Sequence, residues 1–217
     1  MGIRILLADD HKLMRDGLRA LIDSQPDMKV VATAENGRMA VRLAQKHNPD
    51  VVIVDVSMPE LNGIDATRQI VSEFPDMKII ALSMHADRQF VEGMLKAGAC
   101  GYLLKDCALD ELIQAISSVM NRQVWLSPGI AGTVVKSFLH PQKETDTEIH
   151  AELSPREREV LQLIAEGTKT REISERLNVS IKTVETHRRK LMEKLSVDSI
   201  AGLTKIALKM GLTSLDT

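Results

Sequence analysis

Five short apolar runs, each followed by an amphipathic stretch, constrain the first 120 residues more than any other feature of this chain. The runs are IRILLA (3–8), MKVVATA (28–34), VVIV (51–54), MKIIALS (77–83) and GYLL (101–104). Short and rich in aliphatic residues, they have the character of strands, and VVIV reads as one buried on both faces. The amphipathic stretches, roughly 12–24, 37–47, 63–73, 86–97 and 108–121, carry apolar residues at helical spacing. In the first, Met14, Leu18, Leu21 and Ile22 fall on one stripe. Joints containing Gly, Pro and Asn separate the units, as in NG (36–37), NPD (48–50) and AGACG (97–101). Strand–helix alternation means βαβ units, and five of them make an α/β doubly wound five-stranded parallel sheet with helices on both faces.

The alternation stops after Trp125. SPGIAGTVVKSFL (127–139) is expected to form one further helix, with Ser127 as its cap and Pro128 at its first position. HPQKETDTEIHAE (140–152) has few apolar residues and much charge, the composition of a flexible linker. Beyond it there is no strand signal, only helical stretches at 155–166, 170–177, 181–194 and 199–210. Ser154, Pro155 and Glu157 form a capping-box pattern, Gly167 ends the first of these helices, and Asn178 with Ser180 marks the turn before the third. The expected division is therefore an α/β domain over 1–122, a helix and flexible linker over 123–152, and a small all-α domain over 153–217.

A length of 217 residues suits two domains. No run approaches the roughly 18–20 apolar residues of a membrane span, and acids close to the N-terminus argue against a signal peptide. The two cysteines, Cys100 and Cys107, have neither metal-ligand spacing nor a second pair, which points to reduced thiols in a cytoplasmic protein. The net charge of −2 hides an asymmetry. Residues 1–153 hold sixteen basic and twenty-one acidic side chains (net −5), residues 154–217 twelve and nine (net +3), so the halves suit different partners.

In an open parallel sheet, ligands bind beyond the carboxyl ends of the strands, where the strand order reverses. Each strand but the second leaves a chemically active side chain at that edge. The first ends in Asp9 and Asp10, the third in Asp55, the fourth in Ser83 and the fifth in Lys105. Carboxylates this close repel one another, and a divalent cation relieves the repulsion. Oxygen-only ligands select a hard ion such as Mg2+. A carboxylate not consumed by the metal can attack a phosphoryl group, whose equatorial oxygens the metal and Lys105 would neutralise. Taken singly, each residue has a local alternative: Asp9 or Asp10 capping the helix that begins near His11, Ser83 capping the following helix, Lys105 a solvated surface lysine.

The segments LLADDH, VDVSMPELNG, ALSMHAD and AGACGYLLKD resemble the receiver domain of bacterial two-component response regulators, a flavodoxin-like fold. The resemblance implies that Asp55 is the phosphoacceptor. It also implies that Asp10 and Asp55 bind Mg2+ with the backbone carbonyl of Ser57, Asp9 assisting through water. Ser83 would hydrogen-bond the phosphoryl group and Lys105 pair with it, while Tyr102 stands where receivers carry a switching aromatic. Ser57 and His85 occupy the positions that tune phosphoryl lifetime. Asp106 follows the lysine where many receivers have proline.

In the tail, a short helix (170–177), a turn and a longer helix from Ile181 form a helix-turn-helix pattern, whose second helix lies in the DNA major groove. Val184, Leu191 and Leu195 would face the core, leaving Lys182, Thr183, Thr186, Arg188, Arg189 and Lys190 toward DNA. SPREREVLQLIAEG and VSIKTVETHRRKLMEKL resemble the LuxR-type DNA-binding domain, and the whole chain is similar to a NarL/FixJ-family regulator. Glu185 departs from the lysine often found there; it would repel phosphates but could accept from a cytosine amino group. SVDSIAGL also lacks an arginine that many relatives carry.

The resemblance implies a phosphorylation-activated, DNA-binding transcriptional regulator, assisting only its own phosphorylation and dephosphorylation. Its partners would be a sensor histidine kinase, double-stranded DNA and a second copy on activation, with RNA polymerase a further candidate and no membrane. Ile200, Leu203, Ile206 and Ala207 on the last helix offer a dimer surface or a core face. Two other functions stay open at this point: a Mg2+-dependent phosphatase, although Ser57 stands where haloacid-dehalogenase-type enzymes carry a second acid, and a receiver controlling a protein-binding tail.

Overall fold

The computed structural model describes residues 2–107, 109–139 and 153–213, which fall into two compact units divided after His140. The expected linker, 140–152, lies outside the described residues.

The first unit runs β1 (Ile3–Ala8), α1 (Lys12–Asp23), β2 (Met28–Ala34), α2 (Gly37–His47), β3 (Val51–Asp55), α3 (Gly63–Glu73), β4 (Lys78–Ser83), α4 (Arg88–Ala97), β5 (Gly101–Leu104), α5 (Leu109–Met120), β6 (Trp125–Leu126) and α6 (Pro128–Leu139). All strand pairs are parallel and the order is β2-β1-β3-β4-β5-β6. The sheet therefore has six strands, not the five expected. Trp125–Leu126 is too short to carry an alternation signal, yet its backbone pairs with β5: Trp125 N–H donates to Cys100 O at 3.0 Å, and Ser127 N–H to Tyr102 O at 3.0 Å.

Successive strand residues point to opposite faces, and the core divides accordingly. Leu6, Val52, Val54, Ile79 and Ala81 pack on one side with Ala40 and Ala44 of α2, Ile64 and Ile70 of α3, Phe90 and Met94 of α4 and Ile130 of α6. Ile5, Leu7, Val51, Ile53, Ile80 and Leu82 pack on the other with Ile22 of α1 and Leu112, Ile116 and Val119 of α5. All five residues of β3 are buried, because helices cover both its faces. Cys100 and Cys107 are both free thiols.

The second unit is all-helical: α7 (Pro155–Ala165), α8 (Thr170–Arg176), α9 (Ile181–Lys194) and α10 (Ile200–Lys209). Asn178, at φ 50°, turns the chain after α8, and the Ser180 hydroxyl caps α9 by accepting from Thr183 N–H at 3.1 Å. Val184, Leu191 and Leu195 are buried, and so are Leu203, Ile206 and Ala207 of α10. Of the four residues considered for a dimer surface, only Ile200 is exposed; the other three are core.

The capping box forms as expected: Ser154 N–H donates to Glu157 Oε2 at 2.8 Å and Glu157 N–H to Ser154 Oγ at 3.3 Å. The same carboxylate accepts from Lys194 Nζ at 3.0 Å, tying the start of α7 to the end of α9. Burial raises the Glu157 carboxyl, but Ser154 and Lys194 outweigh it and hold the carboxyl below its ordinary 4.5. A depressed folded value means stability that is present above pH 4.5 and lost as the pH falls through that lower value. Glu157→Ala is therefore expected to cost this unit about 1 kcal/mol at pH 7 and to flatten its acid sensitivity. Hydrogen exchange of the α7 and α9 amides between pH 7 and pH 4 checks both.

Candidate functional site

The parallel order of β1, β3, β4 and β5 brings their carboxyl ends to one edge, and five of the singled-out side chains meet there. Asp9 and Asp10 follow β1, Asp55 closes β3, Ser83 closes β4 and Lys105 follows β5. The start of α3 presses against the end of β3: a Cβ on Gly63 would lie 2.1 Å from the Asp55 carbonyl oxygen, and Gly63 N–H donates to Val56 O at 2.9 Å. Only glycine tolerates that approach. Asn62 caps α3 through Asp65 N–H at 2.9 Å, and Arg68 holds Asp65 at 2.6 Å.

Lys105 is the centre of the cluster. Its ammonium lies 2.7 Å from Asp55 Oδ2 and 2.9 Å from Asp9 Oδ2, and its side chain is 4% exposed. The solvated-lysine alternative fails on that burial. Asp9 Oδ1 accepts from His11 N–H at 2.8 Å, so Asp9 also does part of the local work considered for it at the start of α1. Ser57 N–H donates to Asp55 Oδ1 at 3.2 Å.

Burial pushes the Asp55 carboxyl up from 3.8 to about 6; the Lys105 ammonium opposes the rise and the Asp9 carboxylate adds to it. Burial lowers Lys105, but Asp55 and Asp9 more than reverse this, so the ammonium holds its proton more tightly than usual.

Ligand atoms of Asp9, Asp10, His11 and Asp55 all lie within 4.8 Å of one another. Asp10 Oδ1 is buried and accepts no hydrogen bond, although His11 Nδ1 stands 2.9 Å away. Buried carboxylate oxygens without donors are expensive, and a hard cation satisfies them without protonation. The donor set fits Mg2+.

Ser83 is fully buried, and its hydroxyl accepts from His85 N–H at 3.0 Å; Asp87, not Ser83, stands at the N-cap of α4. Tyr102 is fully buried, its hydroxyl donating to His85 O at 2.7 Å, and burial raises that phenol above its ordinary 10. One loop, β4 to α4, thus touches both Ser83 and Tyr102.

The other singled-out residues lie apart from this edge, on α9 of the second unit. Lys182, Glu185, Arg189 and Lys190 are exposed; Thr183, Thr186 and Arg188 are half-buried. Thr186 Oγ1 donates to Lys182 O at 2.8 Å, a bond within the helix.

A response regulator receiver domain model matches residues 5–117, and a model of the luxR family of bacterial regulatory proteins matches residues 151–207. Response regulator UvrY of Escherichia coli (strain K12) is 38% identical over 215 residues, 99% of this chain and 98% of UvrY. The chain belongs to the two-component response regulators of the NarL/FixJ family. Solved structures similar to the regulator include RcsB from Salmonella enterica serovar Typhimurium bound to a promoter in the presence of the phosphomimetic BeF3−. It is 27% identical, with a TM-score of 0.62 over 98% of this chain and 100% of RcsB. Another holds two RcsB dimers bound to two parallel DNAs, 27% identical with a TM-score of 0.59 over 97% and 99% of the chains. The regulator thus joins a receiver to a LuxR-type DNA-binding domain and is a transcriptional regulator in a two-component system.

Sequence reasoning missed His11 beside the acids and the close packing of Gly63 on Asp55. LNG beginning six residues after a strand-end acid is the signal that could have found the second.

Proposed function

We propose that Asp55 is the residue phosphorylated in this regulator and that phosphorylation controls DNA binding by the second unit. The observation that carries the reading is the buried Lys105 ammonium held between Asp55 and Asp9, beside a buried Asp10 oxygen that accepts no hydrogen bond among the described residues. That edge has cationic charge for a phosphoryl group and oxygen donors for a hard ion.

Asp10, Asp55 and the Ser57 carbonyl would hold Mg2+, with Asp9 acting through water. The ion supplies positive charge against the transferring phosphoryl oxygens. An Asp55 carboxylate oxygen attacks the phosphorus of a phosphohistidine on the sensor kinase; the P–N bond breaks and the imidazole leaves. With its carboxyl at about 6, Asp55 is largely ionised at pH 7.5 and ready to attack. Lys105 pairs with the new phosphoryl group and the Ser83 hydroxyl donates to it. The change adds about −1.5 to −2 charge, and Ser83 and Tyr102 pass it to the β4–α4 loop. Turnover of an external substrate has no part in this reading.

The output is DNA recognition through Lys182, Thr183, Glu185, Thr186, Arg188, Arg189 and Lys190. The RcsB dimers on DNA support a homodimer on activation, whose two recognition helices would read half-sites about one helical turn apart. RNA polymerase is a further candidate partner. The reading divides the chain into a receiver over 1–122, a connecting segment over 123–152 and a DNA-binding domain over 153–217. A cytoplasmic location follows from the kinase and DNA partners; no helix among the described residues is long and apolar enough to cross a membrane.

Intact mass after incubation with acetyl phosphate tests the switch, using wild type and Asp55→Asn with and without Mg2+. The expected result is a phosphoryl-sized gain in wild type with Mg2+ alone, accompanied by a change in oligomeric state or DNA affinity. A gain of equal size in Asp55→Asn would overturn the assignment.

A further inference from the structure

The recognition helix carries one acid whose presence no contact among the described residues explains. Glu185 is exposed on α9, three residues after Lys182 and four before Arg189. Both spacings allow an ion pair on a helix surface, yet the Glu185 side chain makes neither an ion pair nor a hydrogen bond among the described residues. Arg189 turns instead toward Glu193, at 3.9 Å.

The other acids described in this unit all have a local electrostatic role. Glu157 binds Lys194, Glu159 binds Arg156, Glu175 binds Arg171, and Glu166 accepts from Gln162. Glu172 lies in the first turn of α8, and Asp198 just precedes the Ser199 cap of α10; both sit where a helix dipole favours negative charge. Glu185 lies beyond the first turn of α9, so it gains little from that dipole.

On a surface that meets phosphates this carboxylate is unfavourable unless it meets a donor. An ionised carboxylate only accepts, and the major groove offers it few partners: the amino groups of cytosine and adenine donate, whereas guanine and thymine present acceptors there. Adenine sets its N7 acceptor beside its amino group, so cytosine N4 is the better match. Lys182 and Arg189, on either side along the helix, supply the phosphate attraction that keeps the acid at the base edges.

We propose that Glu185 is a specificity-determining residue that accepts a hydrogen bond from N4 of a cytosine in each half-site. The proposal rests on the DNA-binding reading above and deepens it.

The test is selection from a pool of duplexes with a randomised core, using the full chain treated with acetyl phosphate and Mg2+. Wild type, Glu185→Ala, Glu185→Gln and Glu185→Lys are compared, and circular dichroism confirms equal helix content. Wild type is expected to enrich a cytosine at one position per half-site, favoured about tenfold. Glu185→Ala should lose the preference at that position alone. Glu185→Gln should move it toward adenine and Glu185→Lys toward guanine. If Glu185→Ala selects the same bases everywhere and merely binds more tightly, the acid only repels phosphates and the proposal falls. If wild type enriches no sequence at all, the DNA-binding reading itself falls, and the proposal with it.

Discussion

Replacing Lys105 with alanine is expected to lower the stability of the first unit by about 3–5 kcal/mol at pH 7.5 without Mg2+, the usual effect of removing one partner from a buried ion pair. The reasoning is local. Asp9 is fully buried and Asp55 3% exposed, and the one ammonium within 3 Å of both is lost. Two carboxylates then share a buried space without the ammonium that bridged them, and one must take up a proton or draw in water. The loss should therefore shrink at pH 5, where the Asp55 carboxyl is already mostly protonated. Millimolar Mg2+ should return part of it, since a ligand that binds only the folded state stabilises that state by mass action. Urea titrations at both pH values, with and without the ion, measure each part. A variant equally stable in all four conditions would contradict the central place of Lys105.

Asp55→Asn is expected to act in the opposite direction. The folded Asp55 carboxyl sits near 6 against an ordinary 3.8, chiefly because burial disfavours its charge. A raised folded value means stability that is full below about pH 4 and lost as the pH climbs through 6. Two pH units correspond to about 3 kcal/mol. Asparagine avoids this loss because it carries no charge, and its amide oxygen can still accept from Lys105. Without Mg2+ at pH 7.5, the variant's first unit should therefore be about 3 kcal/mol more stable than that of wild type. The advantage should fade toward pH 4 and narrow when Mg2+ is added. Denaturation of both proteins across pH 4–8 decides it; a variant less stable than wild type at pH 7.5 would show that the Lys105 pair outweighs burial. With the expected outcome, one group both strains the resting fold and makes it receptive to a cation.

Much of this was legible in the sequence, and the reasons are specific. Val51–Val54 announced a doubly covered strand by composition, and the amphipathic stripes between runs announced helices. Once the sheet is parallel, strand-end residues must gather at one edge, so the grouping of Asp9, Asp10, Asp55, Ser83 and Lys105 followed from topology. The burial of Lys105 was hidden, because a lysine followed by Asp106 looks like surface. Its contact with two carboxylates depends on distances that no spacing encodes. β6 escaped notice since two residues have no period, and its pairing depends on where α5 delivers the chain. On the last helix the apolar stripe was visible, but whether it met α7 or another molecule was settled only by packing.

That sixth strand has a consequence for assembly. The free edge of a parallel sheet is a template on which another chain can add a strand. Here the Trp125 and Ser127 N–H groups already occupy the carbonyls of Cys100 and Tyr102 on the outer side of β5. Strand addition directly to β5 is blocked there by the protein's own chain, and the edge left on this flank is the two-residue β6, too short to be a good template, so copies that associate there are expected to do so through side chains. Such contacts can form and dissolve with a signal, whereas an added strand tends to stay.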